Sequence, residues 1–203
     1  MKTILPLALA LLVAMPAARA AEAGDWEFKF GVHAVDPKSG NGRLAGGTLE
    51  ADVDSAFSPT FSLEYRINPN LGLEVLAALP FKHDVDLNGT KAATVKHLPP
   101  TVSLQWHFMP EGKVDPFVGL GLNYTRFFSI DETGPLEGTR LDLDDSWGLA
   151  AHAGLAFPLK DRWSMTVDVR WMDIESDVEV NGAKVGTVDI DPLVYGVAFG
   201  YRF

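Results

Sequence analysis

The chain contains no cysteine, so an exported form of it cannot rely on a disulfide framework. It is also poor in basic charge: 17 Lys and Arg face 27 Asp and Glu, for a net charge of −10 and a pI near 4.8. A phosphate backbone is an unfavourable partner for such a chain, and nucleic acid is set aside. Beyond the N-terminus no apolar run approaches the length of a spanning helix. A bilayer could therefore be crossed only by strands. Apolar spacing of helical period is missing over any useful length.

The N-terminus carries Lys2, an apolar run from Ile4 to Met15, and Ala18-Arg19-Ala20. A charged start, a short apolar stretch and a small-x-small site read as a secretory signal, too short and too proline-marked at Pro16 for a membrane anchor. The expected layout is a signal peptide over residues 1–20 and one domain over 21–203. Removing Lys2 and Arg19 with the signal leaves 15 basic against 27 acidic residues.

What the remainder does have is alternation. In Pro192 to Phe203, Leu193, Tyr195, Val197, Phe199, Tyr201 and Phe203 share one parity; Val194, Gly196, Ala198, Gly200 and Arg202 share the other. A strand turns these sets to opposite faces. Seven further segments repeat the pattern: 25–35, 56–67, 71–80, 95–108, 116–128, 145–157 and 163–173. Short turns (68–70, 109–115, 158–162) alternate with longer polar stretches (36–55, 81–94, 129–144, 174–190). Eight alternating segments with turns short on one side and long on the other predict an all-β fold, an eight-stranded antiparallel transmembrane β-barrel closed between its first and last strands. Trp26, Tyr65, Trp106, Phe108, Phe157, Trp163, Tyr201 and Phe203 fall at the short-turn ends, as an interfacial girdle would.

The opposite parity faces inward. Near the short turns it carries Glu27, Lys29, Glu64, Arg66, Glu74, Gln105, His107, Asp168, Arg170 and Arg202. Burying such groups unpaired is costly, so they are expected to pair as an ionic plug across the lumen. Higher up, Leu76, Ala78, Thr101, Asn123, Gly148, Ala150, Val194, Gly196 and Ala198 are small or apolar. They are expected to line a narrow pocket open toward the long loops. Pro99 and Pro100 cannot donate to a ladder and are expected to weaken the wall there.

Several stretches resemble the outer membrane protein W family, whose alkane-uptake relatives share its fold. They are Leu73-Glu74-Val75-Leu76-Ala77-Ala78-Leu79-Pro80-Phe81, Lys96-His97-Leu98-Pro99-Pro100-Thr101, Pro116 to Thr125, Asp145-Ser146-Trp147-Gly148 and Gly200-Tyr201-Arg202-Phe203. The resemblance implies a barrel in the cell outer membrane with a hydrophobic lumen proposed to pass small apolar molecules. Leu76 carries over as a lumen-lining residue. Arg170 departs from the pattern, since relatives can be aromatic there.

The leading expectation is passive uptake of small hydrophobic molecules with lateral exit into the bilayer. The substrate path would run by Leu76, Ala78, Pro99, Pro100, Thr101, Asn123 and Val194. The expected partners are outer-membrane lipids and lipopolysaccharide, the solute, and the assembly machinery that reads the terminal Phe. The alternative is a structural, stress-tolerance or adhesion barrel with no transport through the lumen. An enzyme needs a nucleophile beside a base, but Ser146 and His152 lie about 20 Å apart along one strand. No cofactor is expected, and the five histidines have no metal-ligand spacing.

Overall fold

The computed structural model describes residues 21–203, so the signal-peptide reading of residues 1–20 lies outside the described residues. The strands, in chain order, are β1 (Trp26–Asp36), β2 (Gly42–Leu44), β3 (Leu49–Val53), β4 (Ala56–Asn68), β5 (Leu71–Ala78), β6 (Phe81–Leu87), β7 (Thr90–Leu98), β8 (Thr101–His107), β9 (Asp115–Glu132), β10 (Leu141–Leu143), β11 (Ser146–Pro158), β12 (Trp163–Met172), β13 (Glu175–Val180), β14 (Ala183–Asp189) and β15 (Leu193–Arg202).

Eight of these are staves. Antiparallel pairing runs β1-β4-β5-β8-β9-β11-β12-β15 and returns to β1, where Glu27 faces Arg202 and Val35 faces Val194. Closure removes the unpaired edges that an open sheet would leave. The C-terminal ladder is thus the closing stave, and Phe203 N–H donates to Trp26 O at 2.9 Å. The short turns have local causes: at 68–70, Asn68 Oδ1 accepts from the backbone N–H groups of Asn70 and Leu71, both at 2.9 Å.

The outer face is a belt of exposed large apolar side chains, with Leu120 73% and Trp147 74% accessible. A patch that encircles the molecule is one that lipid solvates. Aromatic pairs mark both rims: Trp26 with Tyr65 (4.9 Å between ring centroids) and Trp163 with Tyr201 (5.1 Å) at the short turns, Tyr124 with Trp147 (4.7 Å) at the other.

Two expectations need correction. Residues 95–108 are not one strand. The chain is in β7 up to Leu98, breaks at Pro99-Pro100, and resumes as β8 at Thr101. A donor-less pair of residues cannot continue both neighbouring ladders. Nor are the long connections simply polar loops, because most of their length is strand. β6–β7 and β13–β14 are tight hairpins turning at Asn88-Gly89 and Asn181-Gly182, all four residues with positive φ. That is the turn whose twist matches paired strands. With β2, β3 and β10 they raise a crown above the lipid belt. Asn41 clasps it, donating from its backbone to Ala51 O (3.0 Å) and from Nδ2 to Asp189 O (3.0 Å), and accepting at Oδ1 from Val53 N–H (2.8 Å).

Candidate functional site

The lumen is filled from the short-turn end upward. Lys29 on β1 donates to Glu64 Oε2 at 2.6 Å and to Glu74 Oε2 at 3.3 Å. Arg170 on β12 donates to Glu74 Oε1 at 2.8 Å and Asp168 Oδ2 at 2.5 Å, and Arg66 Nε lies 3.0 Å from Glu64 Oε1. These six side chains form one buried network. Glu27 and Arg202 make a separate contact of 3.9 Å at the closing seam, where Ser164 also donates to Glu27. Two members were not expected. Asp115 meets His107 Nδ1 at 2.7 Å while His107 Nε2 lies 3.0 Å from Glu64, and His33 Nε2 lies 3.4 Å from Asp168. Asp115 shares the inward parity of β9 with the buried Phe117, a sign available in the sequence one residue before the expected strand start.

The small inward residues above the plug do not leave the open pocket expected of them. A Cβ on Gly196 would sit 2.1 Å from His33 Nε2, and one on Gly119 would sit 2.2 Å from His152 Nε2. Each glycine makes room for an imidazole from the next stave. Leu76, Ala78, Pro99 and Val194 do border a space, with Val35, Phe81 and Ile174, but it encloses only about 10 Å³. That is room for about one water.

The large space lies higher, inside the crown. It is a cavity of about 220 Å³. Strands from every long connection wall it: Leu49 and Val53 on β3, Val85 and Leu87 on β6, Val95 on β7, Leu141 and Leu143 on β10, Val178 and Val180 on β13, Val185 and Val188 on β14. Among the described residues, its only polar lining side chains are His83 and His97. They lie above the lipid belt, and burial holds both imidazoles below their usual pKa, His97 at about 3. Both are therefore neutral near pH 7, and the wall carries no charge. The signal missed in the sequence was the pair of Asn-Gly turns flanked by alternating apolar residues.

Between cavity and plug the stave wall is interrupted. The register of β5 with β8 ends at Leu76–Thr101, and that of β6 with β7 begins at Phe81–His97. Residues 77–80 and 98–100 share no register with each other, although Ala77 and Ala78 stay paired with β4 and Leu98 with β9; Pro80, Pro99 and Pro100 bound the gap. Thr101 and Asn123 stand behind the break. Asn123 Nδ2 donates to the carbonyls of Pro99 (3.2 Å) and Pro100 (3.3 Å), and Thr101 Oγ1 donates to Pro99 O at 3.1 Å. Side chains thus satisfy carbonyl groups at the interrupted ladder, as buried polar groups require.

The residues weighed for catalysis are engaged elsewhere. Ser146 Oγ accepts from Glu175 N–H at 3.1 Å, and the His152 ring lies edge-on to Phe117 at 5.9 Å.

Comparison with known proteins agrees with this architecture along its whole length. The sequence model of the OmpW family matches residues 22–203. Outer membrane protein W of Vibrio cholerae is 36% identical over 210 residues, covering 96% of this chain and 97% of that protein. The dibenzothiophene metabolism operon protein PahQ of Pseudomonas aeruginosa is 27% identical over 197 residues, covering 90% of each. Among solved structures, the crystal structure of outer membrane protein OprG from Pseudomonas aeruginosa superposes with a TM-score of 0.83 at 35% identity, covering 91% of this chain and 98% of that one.

Proposed function

The chain belongs to the OmpW family of outer-membrane barrels, and from that premise we propose that it admits small hydrophobic molecules through the crown and releases them sideways into the bilayer. Like its relatives it is a barrel of the outer membrane and not an enzyme. The observation that carries the proposal is the sequence of environments met from outside. A solute first reaches an uncharged apolar cavity of about 220 Å³. Beneath it lies a buried network of fixed charges, which an apolar molecule has no reason to enter. Beside that network the wall is broken at 77–80 and 98–100. The route of least desolvation is therefore downward into the cavity and outward through the wall.

Leu76, Ala78, Pro99 and Val194 border the space at the break, Pro100 bounds it, and Thr101 and Asn123 hold its edge open. A relative named for an operon of dibenzothiophene metabolism, an apolar aromatic compound, supports a solute of this class. In the same reading lipid acyl chains solvate the belt, lipopolysaccharide surrounds the crown, and the assembly machinery reads Phe203.

The test is uptake of an apolar fluorescent aromatic into lipid vesicles with and without the purified barrel. The barrel is expected to accelerate entry. Ala78→Trp is expected to slow it by filling the exit, and Ala51→Trp by filling the crown cavity. Entry no faster than into protein-free vesicles would overturn the proposal in favour of a structural or adhesive barrel.

A further inference from the structure

The crown cavity and the small space behind the ladder break are separate chambers, and their linings share one residue, His97. Its ring is one of a cluster of four. Phe81 and His83 of β6, 6.5 Å from each other, stack with it from one side at 5.4 Å and 17° and at 4.9 Å and 22°, and Phe127 of β9 is tilted against it at 6.0 Å.

The two imidazoles are held differently. His83 Nδ1 is 2.5 Å from the carbonyl oxygen of Asp54, which anchors that ring. Because a carbonyl only accepts, Nδ1 carries the proton. No hydrogen bond or ion pair holds the ring of His97 among the described residues; stacking alone does. Its backbone, by contrast, is pinned on both sides, in register with Phe81 on β6 and Phe127 on β9. A side chain without a polar anchor on a fixed backbone can change rotamer and exchange ring contacts for contacts with another apolar body. It would leave no hydrogen bond broken behind it. Burial keeps it uncharged, so the movement separates no charge. The position is apt, for Leu98, Pro99 and Pro100, one side of the wall break, follow at once.

Resting on the uptake reading above, we propose that the imidazole of His97 is the partition between the two chambers, the side chain that a solute displaces in passing from the crown to the wall break. Phe81 and His83 on β6 and Phe127 on β9 frame it. Passage is thereby selective for solutes that can replace a stacked ring, so rigid aromatic molecules should feel the partition more than slender alkyl chains do.

Two variants separate this role from simple packing. His97→Ala removes the ring, and His97→Phe keeps an apolar ring of similar shape. Each is first checked for folding by the mobility shift of the heated and unheated barrel in detergent gels. Crystals pressurised with xenon then report the chambers directly, since xenon fills dry apolar cavities. In the wild type and in His97→Phe, xenon is expected in the crown alone. In His97→Ala it is expected to run on to the side chains of Leu76 and Val194.

In vesicles, His97→Ala is expected to raise the entry rate of a naphthalene-sized solute roughly five- to a hundredfold, the scale of two lost stacking contacts. His97→Phe is expected to stay within about twofold of the wild type on the same scale. Xenon confined to the crown in His97→Ala overturns the partition. So does an unchanged entry rate in a wild type that itself outpaces protein-free vesicles. A wild type no faster than protein-free vesicles overturns the uptake reading instead, and the xenon experiment then decides alone whether His97 divides the chambers.

Discussion

The two ends of the barrel are closed by opposite means. At the short turns Lys29, Arg66 and Arg170 interlock with Glu64, Glu74 and Asp168, and nearly every contact is an ion pair. At the long connections Leu44, Leu87, Val95, Val178 and Val188 close over a cavity, and the side chains that meet there do so by apolar contact. The difference lies in what each end tolerates. Removing one member of a buried ionic network leaves its partners charged and dry. Moving one apolar side chain in a cavity wall exchanges one set of weak contacts for another. In the uptake proposed above, the plug is therefore the end that stays shut and the crown the end that is entered.

The sharpest way to break that comparison is at Glu74, which receives Lys29, Arg170 and the hydroxyl of Ser62. Glu74→Ala should lower the unfolding free energy of the barrel by about 3–5 kcal/mol, because two cations lose a buried counter-charge. Urea unfolding in lipid vesicles checks it. A loss below about 1 kcal/mol would mean that water already reaches the plug and that its closure is only apparent.

The second test uses acid, and it acts on the crown. His97 is held at about 3, chiefly by desolvation and next by the neighbouring imidazole of His83, which burial also lowers. Above about pH 6.5 both histidines are neutral whether the crown is closed or open, and they contribute no pH dependence. As the pH falls from about 6.5 toward 3, the open crown takes up protons that the closed one refuses, so stability of the closed form is lost. Opening should rise by up to roughly tenfold per pH unit for each histidine in that window. Asp84, lowered by its hydrogen bond to Lys91, changes stability in the same direction but only below the ordinary carboxylate range. Amide hydrogen exchange in β6 and β7 between pH 7 and 5 measures the effect. His97→Phe should flatten it, leaving the smaller contribution of His83.

These contrasts also explain what could be read in advance. The staves were legible because lipid outside and polar groups inside impose strict alternation on β1, β4, β5, β11, β12 and β15. That Lys29, Glu64, Arg66, Glu74, Asp168 and Arg170 share the inward face was legible from parity alone. The cavity was not, for two reasons. Parity states which way a residue faces but not what faces it, so Gly196 read as space when it receives the His33 imidazole from the adjacent stave. And the crown strands read as loops because they carry charge outward: Asp84 and Asp86 interrupt Val85 and Leu87, and Asp177 and Glu179 flank Val178. Pro99-Pro100 was read correctly as a weak place in a strand, but not as the point where a barrel stave becomes a crown strand.

The smallest effect belongs to the crown turns, where glycine has two distinct uses in the molecule. In the lumen a glycine yields volume, as at Gly72, where a Cβ would lie 2.2 Å from Glu64 Oε1. At Gly182 nothing lies within 4 Å of an added Cβ, and the residue is needed only for its φ of +77°. Gly182→Ala therefore bears a conformational cost alone, about 1–2 kcal/mol. That cost should fall on the β13–β14 hairpin and not on the staves, since β13 and β14 pair with β10 in a sheet separate from the barrel. Faster exchange in residues 175–189 with an unchanged barrel unfolding midpoint is the expected result. An equal fall in the barrel's own stability would show that crown and staves unfold as one unit, and that the contrast between a fixed plug and a yielding crown is not energetic.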